Sequence, residues 1–309
     1  MSDDDALREE YLAFGDELGF LPKLHGPSYE DLVAQDTENT MALLAKYTFP
    51  GPDASVERSE HKTSSGIRLK AYRPDTLKPG QPLVYYIHGG GFAMGSVDLD
   101  DRFCDLLSKA TGCIFVSVEY RLAPAFKHPV PLDDCVEGAK WCVENAASLG
   151  AKAGGIVIAG KSAGGGLVFG TALRLVDEGR GGDVAGLVPC QPLTVHPDAV
   201  PEEDRGRYGS YDENELHAAP LDDPYIWPLQ HKNLAALPKT YMNGCGADTL
   251  RDDARLMKDL LDLNGVPNQY EEYEKLPHYF FVFPSSHLDK LRDEYFDKTA
   301  KGILWVMEE

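Results

Sequence analysis

The sequence predicts an α/β protein built on a mostly parallel, eight-stranded sheet with helices on both faces. Three observations carry that expectation. From residue 82 onward, apolar runs of strand length alternate with segments of helical spacing, the order that βαβ units impose. The run 82–88 (PLVYYIH) is apolar throughout, as suits a strand covered on both faces. A second apolar run, 156–159, stops at Gly160, and helical spacing resumes after Ser162-Ala163-Gly164-Gly165-Gly166. Small residues at such a junction let a buried strand turn sharply into a helix.

Taken in order, residues 4–19 and 28–46 carry helical spacing through Leu7, Tyr11 and Phe14, then Leu32, Met41, Leu43, Leu44 and Tyr47. Their acidic outer faces read as solvated surface. Pro50-Gly51-Pro52 separates this arm from the rest of the chain. Segments 54–62 and 66–73 alternate polar and apolar residues, like two antiparallel strands turning at Ser64-Ser65-Gly66. After strand 82–88, helix 101–110 leads to strand 113–118, helix 131–148 to strand 155–159, and helix 163–177 to strand 185–190. Strand 238–244, helix 249–264, strand 268–275 and helix 285–307 complete the chain.

Between them, 196–228 is rich in Asp, Glu, Pro, Gly and Tyr and has weak periodicity. A structureless loop of that length is uncommon unless it covers a site. The expected organisation is therefore residues 1–50 as N-terminal cap helices, and 51–309 as the main domain with a cap insertion at about 196–228. A disordered acidic insertion is the competing reading.

Composition narrows the function. With 309 residues the chain can bury one large core. Fifty acidic residues against 30 basic ones repel phosphate backbones and anionic membrane surfaces, which argues against nucleic acid as a partner. The acidic N-terminus has no apolar stretch after it that would make a signal peptide, and no run approaches the roughly 18 residues of a membrane span. Six cysteines lie mostly in apolar stretches without a C-x-x-C pair, as buried thiols of a reducing compartment would. A cytoplasmic protein without membrane insertion is expected.

The chemistry begins at Ser162. Gly160-Lys161-Ser162-Ala163-Gly164 fits the G-x-S-x-G elbow, in which the serine hydroxyl stands free at a strand's carboxyl end above a helix N-terminus. The same stretch, from Gly155, also satisfies G-x-x-x-x-G-K-[ST]. A phosphate loop, however, needs its four middle residues in the loop, and here they are Ile-Val-Ile-Ala, the strand itself. A glycine-rich turn serving packing alone is the plain alternative. Upstream, strand 82–88 ends in His88-Gly89-Gly90-Gly91-Phe92. Consecutive glycines there can point N–H groups at one place, and Gly90, Gly91 and Ala163 would together hold an oxyanion.

Serine needs a base and the base an orienting acid. In this topology the acid and then the histidine come after the serine along the chain. Of nine histidines, His278 directly follows strand 268–275, on the rim where the elbow's strand also ends. Asp248 follows strand 238–244, so it can hold the useful tautomer of His278; capping helix 249–264 is its plainer role. Asp252 and Asp253 fall in the first helical turn, which favours carboxylates regardless of function. Ser59-Glu60-His61-Lys62 fits S-x-x-K but lacks supporting motifs, and no metal-ligand spacing occurs.

HGGGF at 88–92, Tyr120-Arg121-Leu122-Ala123-Pro124, GKSAGGG, Asp248-Thr249-Leu250-Arg251-Asp252 and His278-Tyr279-Phe280 together resemble the hormone-sensitive-lipase-like carboxylesterases of the α/β-hydrolase superfamily. The similarity runs from about residue 55 to the end. It implies the α/β-hydrolase fold with a helical cap, no cofactor, no metal, and a small-molecule ester as substrate. Ser162 would be nucleophile, His278 base and Asp248 acid. The expected substrate carries a short or medium acyl chain, or is a small aromatic or secondary-metabolite ester. Alternatives are acyl transfer, lactone hydrolysis or a non-hydrolytic biosynthetic step at the same site, and a ligand-binding module on the same scaffold. The family often dimerises through its last strand and helix, so a homodimer is among the expectations.

One residue departs from the pattern: the family's elbow reads GDSAGG, whereas this chain has Lys161 in place of the acid. A cation cannot repeat an aspartate's acceptor bonds. Lys161 would either pair with an acidic side chain beneath the elbow or favour a negatively charged substrate. Phe92, Lys161, Tyr208, Tyr211, Trp227 and Tyr279 are the candidate substrate-contacting residues, with packing of the insertion as the plainer role for the cap aromatics.

Overall fold

The computed structural model describes residues 7–23, 28–202, 204–205, 208 and 219–308. Eight strands form one sheet: β1 (Val56–Lys62), β2 (Arg68–Pro74), β3 (Val84–Ile87), β4 (Phe115–Val118), β5 (Ile156–Lys161), β6 (Val184–Cys190), β7 (Thr240–Cys245) and β8 (Asn268–Tyr273). Their order is β1-β2-β4-β3-β5-β6-β7-β8. The hairpin β1–β2 is antiparallel and joins the sheet antiparallel to β4; from β4 to β8 every pairing is parallel. Each parallel crossover after β3 needs a covering segment, and helices supply most of them. They are α3 (Asp101–Thr111), α4 (Val130–Leu149), α5 (Ala163–Asp177), α6 (Arg251–Leu263) and α7 (Asp289–Val306), preceded by α1 (Glu9–Leu18) and α2 (Tyr29–Lys46).

The continuous apolar pattern of the central strands is explained by cores on both faces. In β3, Tyr85 and Ile87 enter the core shared with α4, α5 and α6, while Val84 and Tyr86 enter the one shared with α3, α7 and the N-terminal arm. That alternation is the period-two geometry of a strand. The arm is tied down by its aromatics: Phe14 of α1 stacks on Phe283 with centroids 4.9 Å apart. Two polar ties add to it, Ser285 Oγ donating to Glu17 and the Arg8 N–H to the Lys275 carbonyl.

Several boundaries differ from the expected ones for local reasons. The last helix starts at Asp289 because residues 286–288 form a separate 3-10 turn, whose N–H at His287 the Ser285 hydroxyl accepts. Helix α6 starts at Arg251, two residues later than the spacing predicts. The described parts of 196–228 contain the 3-10 turn Pro197–Ala199 and the start of Pro228–Gln230. No helix among the described residues is long and apolar enough to cross a membrane. The six cysteines are all buried and unpaired.

Parallel strands present their carboxyl ends along one rim. Gly89 to Gly91 come after β3, Ser162 follows β5, Asp248 lies three residues past β7 and His278 five past β8. The fold thus brings to one edge four segments that are far apart in sequence, the usual place for a ligand in an open α/β sheet.

Candidate active site

Ser162 sits between β5 and α5 with φ 57° and ψ −125°. For a residue with a Cβ, such sparsely populated backbone costs about 1–3 kcal/mol and persists only where the surroundings enforce it. Here the crossing of strand and helix enforces it. A Cβ at Gly160 would lie 2.6 Å from the Gly164 carbonyl oxygen, and one at Gly164 would overlap the carbonyls of Ile87 and His88. The turn is closed by the Ser162 N–H donating to the Cys190 carbonyl at 2.8 Å and by its carbonyl accepting the Gly166 N–H at 3.1 Å. Residues 156–161 being strand, the phosphate-loop reading fails: its four middle residues are paired in the sheet.

A linear hydrogen-bond chain runs from the serine. His278 Nε2 lies 2.9 Å from Ser162 Oγ, and His278 Nδ1 lies 2.6 Å from Asp248 Oδ2. A carboxylate accepts, so Nδ1 carries the proton and leaves Nε2 bare to accept the serine hydroxyl. Asp248 is buried at 8% exposure, and its second oxygen accepts the Leu250 N–H at 3.0 Å. The capping reading is corrected: the N-cap of α6 is Leu250 with no side-chain cap bond, and Asp248 instead organises the turn before the helix while its other oxygen meets the imidazole. The three residues expected to converge do converge.

The glycine loop lies against the serine: a Cβ at Gly89 would be 3.2 Å from the Cβ of Ser162. Gly90 and Gly91 have φ of 119° and 60°, the left-handed region that glycine tolerates. The Gly90 carbonyl accepts the N–H groups of Ala93 and Met94, which curls the loop. Among the described residues, the N–H groups of Gly90, Gly91 and Ala163 donate to no protein acceptor. Behind the loop, His88 is buried and stacked on Tyr120 at 4.2 Å, with Nδ1 2.8 Å from the Gly89 carbonyl; burial pushes its pKa below the ordinary imidazole value.

The candidate substrate contacts divide. Phe92 walls a small apolar recess, together with Ala123, Phe126, His128, Pro131, Leu167 and Ile226. Tyr279 packs against the imidazole of His278, with ring centroids 4.1 Å apart. Trp227 is 1% exposed in the core, and its indole N–H donates to the Pro220 carbonyl at 3.0 Å. Tyr208 is tied to α6 by donating to Asp253 Oδ2 at 3.0 Å. Tyr211 lies outside the described residues.

Lys161 is a correction to the substrate-contact expectation. Its ammonium turns beneath the elbow and meets Asp100 Oδ1 at 2.7 Å, both residues being buried. The acid-paired reading of this cation is the one the geometry supports. Asp100 itself escapes sequence reasoning, because nothing local marks an aspartate that finds its partner 61 positions away. Asp253 escapes it too. It is fully buried, accepts the N–H groups of Thr194 and Val195, and is pushed by burial up to about 7.

Comparison with known proteins gives the family. The α/β hydrolase fold family matches residues 84–282. The chain is 39% identical to the versiconal hemiacetal acetate esterase of Aspergillus parasiticus, over 95% of this chain and 96% of that one. It is 41% identical to versiconal hemiacetal acetate esterase stcI of Emericella nidulans, over 86% and 96%. The solved structure of a hyperthermophilic esterase from the archaeon Pyrobaculum calidifontis superposes with a TM-score of 0.79 at 29% identity, covering 97% of this chain and 99% of that one. Fold, rim and kinship agree: this chain belongs to the hormone-sensitive-lipase-like carboxylic ester hydrolases of the α/β-hydrolase superfamily.

Proposed function

We propose that the chain hydrolyses carboxylic esters through an acyl-enzyme formed on Ser162. Its Oγ attacks the ester carbonyl while its proton passes to Nε2 of His278. The N–H groups of Gly90, Gly91 and Ala163 receive the oxyanion, each donor of this kind being worth roughly a hundred- to a thousandfold in rate. As the C–O bond to the alcohol breaks, Nε2 returns the proton to the leaving oxygen. Water then enters, loses its proton to Nε2, and releases the acid and the free serine. Asp248 keeps Nδ1 protonated and stabilises the imidazolium formed twice in each cycle. The observation that carries this reading is the unbroken hydrogen-bond chain Asp248–His278–Ser162.

The cap belongs to the same proposal. Residues 1–50 and about 196–228 are read as its two parts. Support comes from the contact of Tyr29 Oη with the Ala93 carbonyl, beside the glycine loop, and from the His128–Asp223 pair at 2.8 Å, which ties the insertion to the recess. The apolar lining of that recess suits the hydrocarbon part of a small ester. With relatives named for a hemiacetal acetate, acetyl or similarly short esters of aromatic secondary-metabolite alcohols are the proposed substrates. A reducing, cytoplasmic setting fits six unpaired thiols.

p-Nitrophenyl esters of graded chain length, assayed with wild type and Ser162→Ala, test the reading. The expected result is a preference for acyl chains of about two to four carbons. Turnover by Ser162→Ala should drop at least about a thousandfold with an unchanged circular dichroism spectrum. Retained turnover in Ser162→Ala would rule out the serine as nucleophile.

A further inference from the structure

Lys161 is the last residue of β5, immediately before the serine, and it spends a full positive charge in the interior. Asp100 answers that charge and is itself held by the Tyr86 hydroxyl, which donates to its other oxygen at 2.8 Å. The ammonium also lies between two aromatic faces, 5.1 Å from the Phe103 centroid and 4.8 Å from that of Tyr279. Tyr279 is the residue after His278 and packs its ring against the imidazole. Its hydroxyl end abuts Gly89 so closely that a Cβ there would overlap it. One ring therefore touches the general base on one side and the root of the glycine loop on the other. Its backbone is left-handed, φ 60° and ψ 21°, a conformation that an aromatic residue keeps only where neighbours hold it.

We propose that Lys161 and Asp100 are positioning residues: the ion pair fixes the Tyr279 ring by cation–π attraction, and the ring fixes the imidazole and the glycine loop relative to Ser162. The inference rests on the esterase reading of that site. Apolar residues of matching volume commonly stabilise an interior as well as a buried ion pair does. What they cannot supply is a cation aimed at a ring face, which is attractive in one orientation only. Asp100 keeps the ammonium at that point, and Tyr86 keeps Asp100. Misplacing a base by a fraction of an ångström lowers the rate of the chemical step and leaves substrate affinity nearly alone.

The test separates positioning from charge compensation. Lys161→Met strands a buried carboxylate and lowers Tm, so Lys161→Met/Asp100→Asn is the informative variant, because it removes both charges and restores Tm toward wild type. Rates on p-nitrophenyl acetate are normalised to the sites titrated by a phosphonate. The double variant is expected to keep a kcat about tenfold below wild type, with KM within about twofold. Recovery of kcat together with Tm overturns the proposal. Tyr279→Leu should lose a similar factor, and combining it with the double variant should cost no more; losses that multiply overturn the route through the ring. The low-field proton resonance of His278 Nδ1–H reads the imidazole without any ester. If it moves in the double variant while wild type turns over no ester, the positioning stands and the esterase reading falls. If it stays put in an active esterase whose kcat is also unchanged, the positioning alone falls.

Discussion

An imidazole helps a serine only if its bare nitrogen faces the hydroxyl, and Asp248 decides which nitrogen is bare. In Asp248→Asn the oxygen that accepts the Leu250 N–H can stay, so the turn before α6 survives. The amide, however, can donate to Nδ1 and drive the imidazole proton to Nε2, where it confronts the serine. The expected result is a loss on the order of 10⁴-fold in kcat with a normal KM and unfolding midpoint, read by steady-state ester assays. Activity within about tenfold of wild type would remove Asp248 from the proposed triad. These three residues were legible in the sequence because chain order and the end-of-strand rule leave few candidates. Asp100 and Asp253 were not, since their partners come from the fold: Lys161 in one case, the 194–195 backbone and Tyr208 in the other.

At the scale of elements, the elbow is a crossing of backbone on backbone, and its glycines are set by distance. A methyl at Gly164 meets two carbonyl oxygens, of Ile87 and His88, neither of which can swing aside as a side-chain end would. Gly164→Ala should cost about 1–3 kcal/mol of stability, the penalty for overpacking a rigid site, and should lower activity with it. Gly182→Ala, which meets nothing within 4 Å, is the control and should leave the urea midpoint unchanged. Equal midpoints for the two variants would refute the steric account. Sequence patterns carry only what is local. Alternation of apolar runs told strands from helices and gave all eight strands, because period and length are local. It did not give the sheet order, in which β4 lies between β2 and β3, since pairing depends on crossovers that no local pattern encodes. Segment 196–228 was legible only as a long aperiodic stretch. Its described part is held by a few core side chains, Val200, Ile226 and Trp227, and by single side-chain bonds to distant elements, such as Tyr225 Oη to Asp177 and His128 to Asp223, and these leave no periodic trace.

For the whole molecule, the junction between segment 196–228 and α6 should make stability depend on pH. Asp253 stands at that junction with a folded pKa of about 7, against about 3.8 when unfolded. Between those values the folded state binds more protons than the unfolded one, so this group's stabilisation is complete below about pH 4 and is lost as pH rises through 7. The span corresponds to a few kcal/mol, about 1.4 for each pH unit between the two values. His88 works in the opposite sense. Burial lowers its pKa, so its contribution is present above the unfolded imidazole value and is lost as pH falls through the folded one. The net slope near neutrality is thus a difference of two terms, and a wild-type curve alone cannot isolate either. Asp253→Asn isolates one, because the amide carbonyl can still accept from Thr194 and Val195 but does not titrate. Urea unfolding of both proteins at intervals from pH 5 to 8 should give a separation that changes in favour of the variant up to about pH 7 and levels off above it, where the carboxylate is ionised in folded and unfolded wild type alike. A separation that stays constant across the range would mean that Asp253 folds with an ordinary carboxylate pKa and does not couple the Tyr208 contact to proton binding.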